Sequence, residues 1–160
     1  MPSKLKSLEE ISQISKTLKQ KGKTIVTTNG SFDILHPAHI NLLEKAKFEG
    51  DILIVLLNSD ISVKKLKGPS RPIQNENDRS IMLSALESVD YITIFNDDTP
   101  LNLLENIQPH IHVKGGSFIP ERIKEEQFLL KKWDGKFKNF PFEEGYSTTS
   151  IIEKILKSKI

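Results

Sequence analysis

Short apolar runs alternate along this chain with stretches of helical pattern, and this alternation restricts the possible folds more than any other feature. The apolar runs cover residues 24–28, 52–57, 91–95, 111–113 and 137–142. Helices are predicted at residues 8–20, 38–48, 76–88, 100–107 and 148–156. Strands that alternate with helices form a parallel sheet covered by helices. The sequence therefore predicts an α/β fold, an open sheet of about five parallel strands with helices on both faces.

Length and composition limit the domain organisation and the possible partners. The 160 residues, 37% of them hydrophobic, suit a single domain spanning residues 1–160, in which residues 1–22 form an N-terminal helical extension that packs on the rest. A net charge of +2 does not indicate a nucleic-acid or membrane surface. No apolar run reaches the roughly 18 residues that span a bilayer. With no cysteine in the chain, we expect a cytoplasmic protein.

Polar motifs follow each predicted strand. Their sequences are Asn29 to His39, Asn58-Ser59-Asp60, Asn96-Asp97-Asp98-Thr99, Lys114-Gly115-Gly116-Ser117 and Glu144-Gly145-Tyr146-Ser147-Thr148-Thr149. Open α/β sheets bind ligands beyond the carboxyl ends of their strands, near the point where the strand order reverses. We therefore expect these motifs to converge on one site.

The segment 29–39 is the most informative of these motifs. His36 and His39 are spaced i, i+3 across a predicted helix start, so their side chains point the same way. Unpaired backbone N–H groups and the positive end of the helix dipole gather at the same place. This combination favours phosphate binding. A zinc site is disfavoured because the chain has no cysteine and its other histidines, His110 and His112, belong to a separate strand-like run.

Two familiar nucleotide motifs are absent. Gly22-Lys23-Thr24 resembles the end of a P-loop, but Thr17 stands where that loop needs glycine, and the triplet precedes a strand. The G-x-G-x-x-G fingerprint of dinucleotide binding does not occur, so hydride transfer with NAD has no support.

Segment 29–39 resembles the H-x-G-H signature of the nucleotidyltransferase superfamily, with Ala38 in place of the glycine. Its Gly-x-Phe-Asp is typical of the small cytidylyl- and adenylyltransferase branch. The run from Glu144 to Thr149 resembles the element that binds the triphosphate tail in that branch. Shorter segments extend the resemblance over residues 23–156 and are most similar to heptose 1-phosphate adenylyltransferases, although Ser117 replaces a usual aspartate.

The resemblance implies a Rossmann-like fold, commonly as a homodimer, and transfer of a nucleotidyl group from ATP to a sugar 1-phosphate. Mg²⁺ is expected with ATP, held mainly by the substrate phosphates and not by a protein metal site. The catalytic residues that we predict are His36, His39, Lys64, Lys67 and Arg79. The predicted nucleotide-binding residues are Asn29, Gly30, Ser31, Phe32, Asp33, His36, His39, Lys114, Gly115, Gly116, Tyr146, Ser147 and Thr148. The predicted acceptor-binding residues are Asp33, Asn58, Asp60, Lys64 and Arg79.

Individual roles follow from the chemistry of each side chain. Lys64 and Lys67 are expected on a mobile loop after the second strand, where a lysine would neutralise the acceptor or the α-phosphate. Arg79 would grip phosphate oxygens with its guanidinium group. Asp33 is expected to orient the turn and not to act as an acid or base.

Other interpretations remain open. A glycerol-3-phosphate cytidylyltransferase-like enzyme would fit the same motifs. So would an enzyme that uses another pair of nucleotide and acceptor. A nucleotide-binding module without catalysis is a third possibility, favoured by Ala38 and Ser117. A tRNA-charging enzyme is excluded by size, because 160 residues leave no room for an anticodon-binding region.

Overall fold

The computed structural model describes residues 3–116, 120–141 and 144–158. Its strands are β1 (Ile25–Gly30), β2 (Ile52–Asn58), β3 (Tyr91–Phe95), β4 (Ile111–Gly115) and β5 (Lys136–Phe140). The helices are α1 (Leu8–Gln20), α2 (Pro37–Phe48), α3 (Asp60–Lys67), α4 (Glu76–Ser84), α5 (Leu101–Ile107), α6 (Pro120–Leu130) and α7 (Thr148–Lys157). A single 3-10 turn, Lys131–Trp133, follows α6.

The five strands form one parallel sheet in the order β3-β2-β1-β4-β5. From β1 the chain runs outward through β2 and β3, then returns to the other side of β1 with β4. The strand order therefore reverses between β1 and β4. Ligands of such sheets bind in the crevice beyond this reversal point.

Helices cover both faces of the sheet, as predicted. One core cluster joins alternate residues of the strands, such as Leu53 and Val55, to α2 and α4 through Leu43 and Leu83. The opposite cluster joins the remaining strand residues to α1, α5 and α6. The interior strand β2 is buried on both faces, which explains why its sequence is apolar from Ile52 to Leu57.

The N-terminal helix packs into the second cluster, where Ile11 is completely buried. Its N-terminus has a capping box, in which the Ser7 hydroxyl accepts from Glu10 N at 3.2 Å and Glu10 Oε2 accepts from Ser7 N at 2.8 Å. Before the helix, Leu5 pairs with Ile92 of β3 as an isolated parallel bridge. Residues 3–20 are therefore packed against the rest of the domain.

Several boundaries differ from the prediction. The expected loop after β2 is helix α3, which the Ser59 side chain caps by accepting from Ser62 N at 3.1 Å. Helix α6 was not predicted, and α4 ends at Ser84 instead of residue 88. The first strand continues to Gly30, two residues beyond the prediction. No helix among the described residues has the length and apolar character needed to span a lipid bilayer.

Candidate active site

A cleft of about 740 Å³ opens at the reversal point of the strand order. Its walls come from the ends of β1, β2 and β4 and the starts of α2 and α7. The lining residues are Asn29, Gly30, Ser31, Phe32, His36, His39, Leu42, Asn58, Val63, Leu66, Lys67, Ser70, Arg71, Lys114, Gly115, Tyr146, Ser147, Thr148 and Thr149. In the described part of the chain this wall contains three cationic side chains and no carboxylate. The site suits an anionic ligand.

The turn between β1 and α2 shapes one side of the cleft. Phe32 and Ile34 have positive φ values, 47° and 51°, which are unusual for a bulky and a β-branched residue. The Asp33 carboxylate stabilises the turn by accepting from Ile73 N at 2.7 Å and Gln74 N at 3.0 Å. Asp33 is 3% exposed and does not line the cleft. Its geometry is that of a residue that orients the turn.

The two histidines lie together at the start of α2. His36 is the N-cap residue, and His39 lies three residues into the helix. Their rings stack with centroids 3.7 Å apart, and Tyr146 lies beyond His36 at a centroid distance of 6.3 Å. Phe32 packs against the other ring, with its centroid 5.4 Å from that of His39. This aromatic stack fixes both imidazoles at the cleft.

Burial lowers the pKa of both imidazoles. Burial first, and then the charges of His36 and Lys67, lowers the pKa of His39 to about 4. The pKa of His36 is also lowered by burial. His39 Nδ1 accepts from His36 N at 3.4 Å, so the ring proton belongs on Nε2. At neutral pH His39 is therefore a neutral hydrogen-bond donor.

Two cations line the side of the cleft formed by α3 and the segment that follows it. The Lys67 ammonium donates to Ser31 Oγ at 2.8 Å, and Arg71 Nη2 donates to Thr149 Oγ1 at 3.3 Å. Loss of surrounding water, followed by repulsion from Arg71, lowers the pKa of Lys67. Lys64 is exposed and does not line the cleft. The prediction that both lysines lie on a mobile loop is wrong, since both belong to α3.

The N-terminus of α7 forms another side of the cleft. Ser147 caps this helix by accepting from Ser150 N at 3.0 Å. The Thr148 hydroxyl donates to the carbonyl oxygen of Asp33 at 2.5 Å and so joins α7 to the β1–α2 turn. The side chains of Ser147 and Thr148, at the N-terminus of α7, thus line the same cleft as the two histidines.

The end of β4 supplies the base of the cleft. The Lys114 ammonium donates to Glu126 Oε1 at 3.0 Å and to Asn29 Oδ1 at 3.4 Å. A Cβ atom at Gly115 would lie 2.5 Å from Leu42 Cδ2, so the glycine is needed for packing against α2. Gly115 also lines the cleft, as predicted for a nucleotide-binding residue. Gly116 has a positive φ of 76° and does not line the cleft.

Arg79 lies beneath the cleft and not in its wall. Its side chain is fully buried, and four of its five N–H groups donate to protein oxygens. Three of the acceptors are the backbone carbonyls of Gln74, Ser31 and Asn58, and the fourth is the Asp60 carboxylate at 2.8 Å. The prediction that Arg79 and Asp60 contact the substrate therefore does not match the structure. Arg79 is buried away from the cleft, and the Asp60 carboxylate is paired with Arg79.

Most of the remaining predicted residues do come together in the wall. Asn58 lies there with its amide donating to Ser62 Oγ at 2.9 Å. The lining residues that were not predicted are Leu42, Val63, Leu66, Ser70, Arg71 and Thr149. Arg71 stands among Gly and Pro residues in a segment that the resemblance already covered. Ala38 is 3% exposed and does not line the cleft. Ser117 lies outside the described residues.

Residues 27–154 match the model of the cytidylyltransferase-like family. The matched range includes every residue that lines the cleft. The chain belongs to the cytidylyltransferase-like family.

Proteins and structures similar to this chain agree with that membership. The bifunctional protein HldE of Geotalea uraniireducens is 45% identical over 99% of this chain, and that of Aliarcobacter butzleri is 46% identical over 98%. The chain spans 32% of the length of each. A lipopolysaccharide core biosynthesis protein from Thermoplasma volcanium matches 79% of this chain and all of its own, with a TM-score of 0.64 and 29% identity. Pantoate-β-alanine ligase from Francisella tularensis, 16% identical with a TM-score of 0.64 over 99% of this chain and 80% of its own, shares the fold.

Proposed function

We propose that this cytidylyltransferase-like protein joins a sugar 1-phosphate to ATP and releases pyrophosphate. The observation that carries the proposal is the cleft itself, which is lined by two stacked imidazoles, three cationic side chains and a helix N-terminus, without any carboxylate among the described residues. Both reactants are strongly anionic, so catalysis consists mainly of positioning and charge stabilisation. The likeness to the HldE proteins and to a lipopolysaccharide core biosynthesis protein supports a sugar phosphate as acceptor.

In the proposed reaction, an oxygen of the sugar 1-phosphate attacks the α-phosphorus of ATP in line. The bond from the α-phosphorus to the bridging oxygen breaks, and its electrons leave with pyrophosphate. The acceptor is already ionised, so no base has to remove a proton. The donor N–H of His39 is suited to the negative charge that grows on the bridging oxygen.

The other residues divide between the two substrates. Ser147 and Thr148, with the N–H groups of α7, would hold the β- and γ-phosphates. Lys67 and Arg71 would bind the acceptor phosphate and the α-phosphate, and in this proposal Arg71 replaces Arg79 as the guanidinium that meets substrate. Arg79 would act as a positioning residue through Ser31 and Asn58. Mg²⁺ would enter as part of the substrate, bound by phosphate oxygens and water.

We propose D-glycero-D-manno-heptose 1-phosphate as the acceptor and ADP-heptose as the product, in the cytoplasm and with the protein as a homodimer. The resemblance of the Lys114-Gly115-Gly116 and Glu144-Gly145 segments to heptose 1-phosphate adenylyltransferases supports this substrate. A cytidylyltransferase acting on glycerol 3-phosphate is the second candidate, favoured by the family description.

One assay distinguishes these activities. Each nucleoside triphosphate is incubated with each candidate phosphate, including heptose 1-phosphate and glycerol 3-phosphate, and pyrophosphate release is measured. The proposal expects the fastest release with ATP and heptose 1-phosphate. Release only with CTP and glycerol 3-phosphate would identify the second candidate. ATP binding without pyrophosphate release from any pair would instead indicate a nucleotide-binding module.

A further inference from the structure

A row of polar side chains runs from the core of the sheet to the cleft. Thr27 Oγ1 lies 2.7 Å from His112 Nδ1, and His112 Nε2 lies 3.5 Å from Glu126 Oε2. The other oxygen of Glu126 accepts from Lys114 at 3.0 Å. Lys114 is the only member of this row that lines the cleft among the described residues. Glu126 therefore connects a buried histidine to a cleft-lining lysine.

Glu126 belongs to α6, a helix outside the cleft wall, and is only 1% exposed. A buried carboxylate is costly unless it is paired and hydrogen-bonded. Burial acts to raise the pKa of Glu126, but hydrogen bonds and charge from His112 and Lys114 outweigh it, and the net pKa lies below the ordinary value. The ionised carboxylate and the Lys114 ammonium thus form a nearly neutral pair.

This pairing distinguishes Lys114 from the other cations of the cleft. Within the described residues, neither Lys67 nor Arg71 forms an ion pair with a carboxylate. Of the three N–H groups of Lys114, Glu126 and Asn29 accept two. The third remains available as a donor. A neutralised ammonium is a weak partner for phosphate charge, but its remaining N–H keeps full hydrogen-bonding capacity.

We propose that Glu126 is a positioning residue that holds Lys114 as a hydrogen-bond donor to the nucleoside part of the nucleotide, while the phosphates are bound elsewhere in the cleft. Lys114 lies at the end of β4, beside Asn29 of β1, at the reversal point of the strand order. The phosphate-binding groups lie on the α2, α3 and α7 sides of the cleft. His112 lies next to Glu126 on the core side. This inference rests on the proposed nucleotidyl transfer and adds a determinant of nucleotide affinity from outside the cleft.

The test compares binding of ATP with binding of tripolyphosphate, which has the phosphates but no nucleoside. Glu126→Gln keeps the size of the side chain and removes its charge, and Lys114→Met removes the donor. Both variants should bind ATP about 10-fold more weakly by calorimetry, and Lys114→Met should bind tripolyphosphate within about twofold of the unmodified protein. The double variant should lose no more ATP affinity than either single variant. Glu125→Gln, an exposed change on the same helix, is the matched control and should bind both ligands normally.

The opposite result for Lys114→Met would contradict the proposal. If Lys114→Met weakens the binding of ATP and of tripolyphosphate equally, Lys114 is a phosphate ligand and the proposal is wrong. Should a single variant be unstable because it leaves one buried charge unpaired, the double variant decides, since it removes both charges. The proposal requires that the double variant bind ATP more weakly and bind tripolyphosphate as the unmodified protein does.

A measurement without ligand separates this inference from the proposed function. The side-chain ammonium protons of Lys114 should give an NMR signal protected from exchange, which Lys114→Met removes and Glu126→Gln broadens through faster exchange. An unchanged signal in Glu126→Gln would refute the positioning role even if nucleotidyl transfer is observed. Conversely, absence of pyrophosphate release from every substrate pair would refute the proposed function and leave this contact intact.

Discussion

The imidazole rings of His36 and His39 stack with their centroids 3.7 Å apart and their planes inclined by 22°. Two protonated rings at this separation would repel each other strongly, and burial adds to the cost of charging either one. At neutral pH the pair therefore presents N–H donors without positive charge. In the proposed reaction, charge neutralisation falls to Lys67 and Arg71, while the histidines orient and stabilise the phosphate oxygens.

Replacing His39 tests its role as a donor to the reacting phosphate. We expect His39→Ala to lower the turnover rate at least about 10²-fold, because one preorganised donor is lost. His39→Gln, whose amide nitrogen can take the place of Nε2, should recover part of the rate. Steady-state pyrophosphate release measures both variants, with circular dichroism as a check on folding. A loss below about threefold in a folded His39→Ala protein would show that His39 is not a catalytic residue.

Acid should destabilise the protein through His39. The unfolded chain binds a proton at this residue with a pKa near 6.5, whereas in the folded protein the pKa is about 4. Between these values the unfolded state holds more protons, so the free energy of unfolding falls as the pH is lowered. From pH 7 to pH 5, we expect the free energy of unfolding of the unmodified protein to fall by about 2 kcal/mol more than that of His39→Gln. Urea unfolding at both pH values measures the difference, and parallel losses would place the pKa of folded His39 near 6.5.

Two lysines of the same helix provide a matched pair. Both are exposed, but Lys67 lines the cleft and contacts Ser31, whereas Lys64 lies outside the cleft. Lys67→Ala should raise the apparent KM for the acceptor or lower kcat, with kcat/KM reduced at least about 10-fold. Lys64→Ala should change kcat/KM less than about twofold. If the two variants lose activity equally, the effect arises from the general charge of α3 and not from a contact.

Thr148 joins α7 to the turn that carries Asp33 and lines the cleft at the same time. Thr148→Val keeps the shape and removes the hydroxyl, so we expect weaker binding of ATP and of pyrophosphate, by about 10-fold. Thr148→Ser keeps the hydroxyl and should bind both normally. Because Ser147 is the cap residue, Ser147→Ala should cost about 1 kcal/mol of stability. Calorimetry and thermal melts separate these effects, and a Thr148→Val variant that loses stability but binds normally would assign Thr148 to structure alone.

Arg79 should matter first for stability. Arg79→Lys leaves several buried carbonyls and the Asp60 carboxylate without a donor, which should reduce the free energy of unfolding by about 3 kcal/mol. Asp60→Asn should cost less, because Asp60 is partly exposed and its amide replacement can still accept from the guanidinium. Urea unfolding checks both. A stable Arg79→Lys protein without activity would indicate that Arg79 contacts the substrate.

Local patterns in the sequence determined the architecture and most of the site. The apolar runs and caps predicted all five strands of the sheet and the helices that follow β1 and β3, because hydrophobic periodicity and capping act over a few residues. The His36 and His39 pair and the Ser147-Thr148 cap were also visible, since each lies next to a strand or helix boundary. Helix α3 was missed because its eight residues include three lysines and no clear apolar stripe, although Ser59 and Gly68 mark its ends.

Only the tertiary structure decided which charges face the ligand. Arg79 and Arg71 look equally available in the sequence, yet the first is buried among backbone carbonyls and the second lines the cleft. Glu126 lies 12 residues beyond Lys114, and its bond to that lysine depends on how α6 packs beside β4. Burial and pairing are set by residues distant along the chain. The sequence therefore determined which kinds of side chain reach this edge of the sheet, and the packing determined which of them remain free to bind.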